Sequence, residues 1–459
     1  MMKKHIFREY DIRGIYNEDF NESDAILIGM AFGTKVQELK DNTVVVGYDN
    51  RISSRSLEEN LVRGLISTGV GVIRLGLVTT PMYFTALNKL NLTKGIMITA
   101  SHNPKEYNGF KMSYNGINNT YGADVKEISE IIDKKAFKEG KGYIKNYRIQ
   151  NEYIDTILNH IDLGQRKIKV VYDCGNGTTS IIADKIFNNL NIEAIPLFNI
   201  SDPTFPNHHP DPCEEKNNAL LKEKVLECKA DIGIGFDGDG DRVGVVDEKG
   251  NFIETDKVMI VIWRYLFDKV QNKKALFDIK CSKSLKDELD KLNIEYICSR
   301  TGASYTKKIT YEEDCAFGGE YSGHMYFRDR FNGHDDGIYN GLRLVEILSK
   351  TDKSFSELLE GINKYYNTPT IYYDVKEEYK NKMITDIIDY CIIKNYNYDT
   401  IDGVKIIFDD GTAIIRASNT SPKLTYRYEA TTKEKLNEIE GEFNRLLDNF
   451  KNKYESINK

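Results

Sequence analysis

TVVVGYD at 43–49, a helical pattern at 54–68, VGVIRLG at 70–76, TPMYFTALNKL at 80–90 and GIMITA at 95–100 follow one another in a single stretch. The first, third and fifth pieces are short, apolar and rich in β-branched residues, bounded by Gly, Asn or Asp. The two between them carry apolar residues at helical spacing. Strand–helix–strand alternation of this kind predicts a parallel or mixed sheet covered by helices. The rhythm returns with IKVVYD (168–173), a helix at 179–190, IEAIPLF (192–198), a helix at 216–228 and ADIGIGF (230–236). It returns again with ALFDIK (275–280), a helix at 283–292 and IEYICS (294–299). The fold class is α/β.

After Pro369 the pattern changes. IYYDV (371–375), a helix near 377–394, VKIIFDDGTAIIRAS (404–418), LTYRYEA (424–430) and a long helix from about 432 predict hairpins with helices on one face, an α+β unit. Boundaries near 148, 250 and 367 divide the chain into 1–147, 148–249, 250–366 and 367–459, four expected domains. Five of the nine prolines fall in 196–212, which reads as an ordered loop inside a domain.

Composition narrows the function class. The 459 residues carry 63 Lys and Arg against 70 Asp and Glu, a net charge of −7 that argues against general nucleic-acid binding. The longest strongly apolar run, VMIVIW at 258–263, ends at Arg264, far short of the roughly 20 residues a membrane span needs. Seven cysteines without a C-x-x-C pair read as reduced thiols, and the N-terminus has no apolar signal region. A cytoplasmic protein, monomeric or weakly self-associating, is expected.

Four loops carry chemistry. TASHNP (99–104) places Ser101 at the end of an apolar strand, the face where such sheets bind ligands. DGDGDR (237–242) presents Asp237, Asp239 and Asp241 as three hard oxygen donors on a tight glycine backbone, suited to Mg2+. An EF-hand loop competes, with Glu248 at its twelfth position, but Arg242 stands where that loop needs glycine and both flanks read as strands. GGEYSGH (318–324) alternates Glu320, Ser322 and His324 with glycine, an acceptor, a hydroxyl and an imidazole for a polyhydroxy ligand. RASNTSP (416–422) combines Arg416 with Ser418, Asn419 and Thr420, a candidate phosphate cradle. Gly233, Gly235 and Gly238 match a dinucleotide fingerprint, yet a strand follows where that motif needs a helix.

Together with FREYDIRG (7–14), PNHHPDP (206–212), FDIKC (277–281) and DDGIY (335–339), these loops resemble the α-D-phosphohexomutase superfamily, most closely its bacterial phosphomannomutase/phosphoglucomutase group. The resemblance runs through nearly the whole chain. It implies three similar mixed-sheet α/β domains and a C-terminal α+β domain around a central cleft. It implies phosphoryl transfer between the 1- and 6-positions of a mannose or glucose phosphate, with Ser101 carrying the phosphoryl group and a hexose 1,6-bisphosphate as intermediate and activator. One Mg2+ per chain would sit on Asp237, Asp239, Asp241 and a phosphoserine oxygen. Arg242 would neutralise the transferring group, and Lys111, with Arg13 nearby, would act as general base, a role that needs its pKa lowered. Tyr10, Lys280, Glu320, Ser322 and His324 would bind the sugar, and Arg416, Ser418, Asn419 and Thr420 the non-reacting phosphate. Ala303, in RTGASYTK (300–307), replaces a histidine common in the group, which leaves the sugar preference open. A phosphoglucosamine mutase and a non-catalytic sugar-phosphate sensor are the alternatives.

Overall fold

The computed structural model describes residues 2–40, 42–418 and 423–456. Four sheets follow one another along the chain. In the first, Gly95–Ile98, Thr43–Tyr48, Gly71–Leu77 and Ile144–Asn146 run parallel, and Tyr107–Asn115 and Ile12–Ile15 add antiparallel strands to one edge. In the second, Ile232–Phe236, Lys169–Asp173 and Glu193–Leu197 are parallel, with Val243–Asp247 and Phe252–Ile253 antiparallel beside them. The third sets Phe317–Gly319, Lys274–Asp278 and Glu295–Ser299 parallel and returns through antiparallel Met325–Phe327. All three are mixed sheets.

These sheets share a topological device. In each, the parallel strand that borders the antiparallel edge passes through a loop into the antiparallel strand beside it. That loop is residues 99–106 in the first sheet, 237–242 in the second and 320–324 in the third. Three of the four chemistry-bearing loops thus occupy one and the same position in three successive units.

The C-terminal unit is antiparallel throughout, with Lys423–Ala430 paired to Ile371–Asp374 on one side and Gly411–Ala417 on the other. The helices Glu377–Lys394 and Lys433–Ser456 bury Met383, Ile387, Ile439 and Phe443 against one face of it. Its core is separate. The first three units share an apolar core that runs from Val45 through Tyr172 and Trp263 to Phe355, and the first unit adds a second core of its own on the other side of its sheet, from Ile6 to Ile128.

Element ends follow the sequence pattern closely: the helix expected over 54–68 is Ser54–Ser67, and that over 377–394 is Glu377–Lys394. The helix expected over 179–190 is instead broken, a 3-10 turn at Thr178–Ile181 followed by the short helix Ala183–Phe187. Two threonines and a serine at 178–180 favour local turns over helix. The VMIVIW run lies in the helix Thr255–Leu266, buried on nearly every side. Among the described residues no helix is long and apolar enough to cross a membrane, and none of the seven cysteines forms a disulfide.

Candidate active site

A cleft of about 970 Å3 opens where the four units meet. Ser101 lies at its floor, 1% exposed, with a left-handed backbone (φ 50°) rare for a residue bearing a Cβ. Its N–H donates to Thr99 Oγ1 (2.8 Å), and its Oγ donates to Asp237 Oδ2 across the domain boundary (2.8 Å). The phosphoserine candidate and the acidic triad, 136 residues apart, are in direct contact.

Asp237, Asp239 and Asp241 are all buried, with carboxylate oxygens within 4.8 Å of one another. Gly240 N–H and Arg242 N–H donate to Asp237 Oδ1 (3.0 and 3.1 Å). Burial, then the charges of Asp241 and Asp239, push the Asp237 carboxyl well above the usual range. Asp239 moves the other way: burial opposes its charge, but the Lys111 ammonium and the Thr80 hydroxyl (2.6 Å) outweigh it. Oδ1 of Asp239 and Oδ1 of Asp241 are buried without any hydrogen-bond partner. Buried orphan acceptors are costly, and an all-oxygen set with two of them fits a hard divalent cation.

Lys111 reaches the triad from the first unit. Its Nζ bridges Asp239 Oδ2 (2.7 Å) and Asp241 Oδ2 (2.6 Å). Burial disfavours the ammonium, as expected, but the two carboxylates more than reverse this and raise its pKa above the ordinary lysine value. Held this way Lys111 is an ammonium on the same two carboxylates that would ligate a divalent cation. Arg13, beside it on the first sheet, pairs with Asp11 (2.5 Å) and Asn103 Oδ1 (2.8 Å).

Arg242 crosses to the third unit. Its Nε donates to His324 Nε2 (3.0 Å), so that ring nitrogen is unprotonated. His324 Nδ1 faces Asp335 Oδ2 at 2.9 Å, and Lys307 Nζ holds the other oxygen of Asp335 (2.9 Å). Asp241 Oδ1 lies 3.7 Å from the same Nδ1. Glu320 accepts from Thr306 Oγ1 (2.5 Å), Gly302 N–H (3.1 Å) and Ser322 Oγ (3.0 Å). Tyr10 reaches across from the first unit to donate to Thr301 O (2.8 Å), and Lys280 Nζ lies 3.7 Å from Asp278. Tyr10, Lys280, Ala303, Glu320, Ser322 and His324 all line the cleft.

The fourth loop is placed differently. Arg416 Nε and Nη2 both contact Asp402 Oδ2 (2.7 Å each), and the same carboxylate oxygen accepts from Thr301 N–H (2.9 Å). Ser418 O accepts from Lys380 Nζ (2.7 Å). Neither Arg416 nor Ser418 belongs to the wall of the cleft, to which the C-terminal unit contributes Asn367, Pro369, Thr370 and Tyr372. Asn419 and Thr420 lie outside the described residues.

Three residues at this site carried no signal in the sequence. Arg51 holds the Ser101 loop from beneath, Thr80 binds the metal-type triad from a helix N-terminus, and Asp402 ties Arg416 to the third unit. Each works through contacts with distant chain, which no local motif records.

The chain matches four successive family models. They are the phosphoglucomutase/phosphomannomutase α/β/α domains I, II and III over residues 4–139, 151–250 and 254–365, and the C-terminal domain over 371–446. It is 36% identical over 442 residues to a phosphomannomutase/phosphoglucomutase of Pseudomonas putida, covering 96% of this chain and 95% of that one. It is also 36% identical over 454 residues to a phosphoglucomutase of Neisseria meningitidis, covering 97% of each. A solved phosphoglucomutase/phosphomannomutase family protein from Burkholderia thailandensis superposes with a TM-score of 0.90 at 33% identity over 98% of both chains. An N-acetylglucosamine-phosphate mutase of the α-D-phosphohexomutase superfamily shares the fold at 13% identity, with a TM-score of 0.60 over 97% of both chains. With a serine on an acidic triad at the floor of a cleft built by four units in this order, the chain belongs to the phosphoglucomutase/phosphomannomutase family of hexose-phosphate isomerases.

Proposed function

We propose that this enzyme interconverts the 1- and 6-phosphates of glucose or mannose through a phosphoryl group carried on Ser101. The observation that carries this reading is the contact of Ser101 Oγ with Asp237 Oδ2 at the floor of the shared cleft. In the first half-reaction a free sugar hydroxyl attacks the phosphoryl group. The new O–P bond forms on the sugar, the bond to Ser101 Oγ breaks, and the hydroxyl proton passes to an acceptor. The acceptor would be His324 Nε2, which lines the cleft and would be freed when the Arg242 guanidinium turns from that nitrogen to the transferring phosphoryl group. The resulting hexose 1,6-bisphosphate turns over, and Ser101 takes back the other phosphoryl group.

Asp237, Asp239 and Asp241 would hold Mg2+, which when bound neutralises charge on the transferring group. Lys111 bridges Asp239 and Asp241, and Arg242 presents a guanidinium to the same region. Glu320 and Ser322 sit together on the cleft wall and would accept from and donate to sugar hydroxyls. Arg416 and Ser418 would receive the non-reacting phosphate from the fourth domain. We take the domains to divide near 148, 250 and 367, so that each contributes one loop to the reaction.

The test is Ser101→Ala. The purified variant is expected to lack covalent phosphate by mass spectrometry and to convert neither glucose 1-phosphate nor mannose 1-phosphate in the presence of Mg2+ and glucose 1,6-bisphosphate. Conversion at the wild-type rate would remove Ser101 from the mechanism. The relative kcat/KM for the two sugars, with glucosamine 1-phosphate as third substrate, sets the preference at the Ala303 wall.

A further inference from the structure

We propose that Arg51 is a positioning residue for phosphoryl transfer: its guanidinium clamps the Ser101 loop and sets that loop against the second domain. The inference rests on the reading of Ser101 as the phosphoryl carrier and deepens it.

An arginine side chain has five N–H donors in a rigid planar fork. In Arg51 all five are used. Nε donates to Asp49 Oδ2 (3.1 Å). One terminal nitrogen donates to Pro104 O (2.7 Å) and Tyr107 O (3.0 Å), and the other to Ser101 O (2.7 Å) and Asn103 O (2.6 Å). Four carbonyls of the seven-residue segment 101–107 thus converge on one buried cation. No donor is left over for a substrate, so the residue acts through the loop.

That loop needs such a holder. Ser101 sits at φ 50°, a conformation that costs a non-glycine residue energy and persists only where its surroundings over-determine it. Ser101 O and Asn103 O, turned inward in a non-repetitive loop, also lack ladder partners, whereas Pro104 O accepts from Tyr107 N–H (3.0 Å) as well. The guanidinium supplies both the constraint and the partners. It does so with a charge that Asp49 balances, and Asp49 in turn accepts from Arg51 N–H (3.1 Å) and Ser54 Oγ (2.5 Å).

The clamp is also referenced to the second domain. The Arg51 guanidinium lies 5.6 Å from the centre of the Phe205 ring, and its neighbour Asn50 donates to Asn176 O (2.8 Å) and Ser201 Oγ (3.0 Å). Phe205, Asn176 and Ser201 belong to the unit that carries Asp237. Residues 49–51 therefore fix the register between Ser101 and the triad it touches.

The experiment is Arg51→Lys in the full chain. Lysine keeps the charge but has three donors on a single nitrogen, which cannot span four carbonyls. We expect kcat to fall about 30- to 100-fold with KM for glucose 1-phosphate within about threefold, the signature of a misplaced reacting group rather than lost substrate binding. Limited trypsin digestion is expected to open a new cut after Lys105, an exposed residue of the clamped loop, under conditions where the wild type is spared there. Wild-type kcat, or a kcat loss without new cleavage at Lys105, would overturn the proposal. If Arg51→Lys does not fold, Asp49→Asn is read in its place, with the same pair of effects at about 3- to 10-fold in kcat. The two readings fail separately: activity in Ser101→Ala defeats the carrier assignment, whereas the Lys105 cut reports the clamp whatever Ser101 does.

Discussion

Replacing Gly238 by alanine would place a methyl group against the backbone of the reacting serine. A Cβ at Gly238 would stand 2.6 Å from Ser101 O and 3.6 Å from Pro210 Cγ. Carbon and oxygen atoms that are not bonded settle near 3.3 Å, so the two loops must separate by about 0.7 Å. Neither side yields easily. Gly238 O accepts from Thr178 N–H (2.9 Å) and Thr178 Oγ1 (2.5 Å), while Ser101 O is held by Arg51 (2.7 Å). Gly238 has no left-handed backbone, so the substitution strains the contact and not its own φ. A displacement of this size between serine and triad is expected to lower kcat by about 10- to 100-fold. The assay is steady-state conversion of glucose 1-phosphate with Mg2+ and glucose 1,6-bisphosphate, alongside thermal unfolding. Gly441→Ala serves as control: it lies in the helix Lys433–Ser456 with open space around it and should stabilise by about 0.5–1 kcal/mol with full activity. A Gly238→Ala enzyme with wild-type kcat would refute the claim that this contact sets the reacting geometry.

Two further perturbations follow from the geometry. Asp402→Asn removes the charge that orients Arg416 and joins it to Thr301; KM for the sugar phosphate should rise about 3- to 10-fold with kcat nearly unchanged, and an unaltered KM would show that Arg416 is oriented without it. His334 is fully buried between Phe84 and Phe331 with both ring nitrogens unpartnered, and burial lowers its pKa from 6.5 to about 3. The unfolded chain therefore binds a proton that the fold refuses, and His334 costs stability as pH falls from 6.5 toward 3. Its neighbour Asp336, raised by burial to about 7, has the opposite slope between 3.8 and 7, because there the fold keeps a proton that the unfolded chain releases. The two oppose each other in wild type. In the difference between His334→Phe and wild type, Asp336 cancels, and the variant should gain about 1.4 kcal/mol per pH unit on going from pH 6.5 down toward 3, measured by urea unfolding. A flat difference across that range would count against the buried neutral imidazole.

Periodic pattern made the sheets legible, because strands such as 232–236 are buried on both faces and read as unbroken apolar runs. The chemistry loops were legible too, since glycine, serine and aspartate at these spacings have few structural reasons to recur together. Their equivalence was not: TASHNP, DGDGDR and GGEYSGH share no residue pattern, and only the pairing of each with a parallel strand before and an antiparallel strand after reveals the repeat. Lys111 illustrates a second limit. Its neighbours Asp239 and Asp241 come from another domain, 128 and 130 residues away, and their charges reverse the shift that burial alone would give. Arg51 reads as one residue in an Asn-Arg-Ile-Ser turn, because its partners are backbone carbonyls, which leave no trace in side-chain identity.

The division of apolar cores bears on how the protein comes apart. The first three units are fused through one interior, so the loss of any of them exposes surface belonging to the others. The C-terminal sheet and its two helices close around an interior of their own, joined to the rest mainly by polar bridges such as Asp402 to Thr301 and Arg427 to Lys280 O. Heating should then melt two cooperative blocks rather than one, and no single transition temperature describes the chain. A sugar bisphosphate that touches both blocks would stabilise each only while they are together, drawing the two transitions toward one.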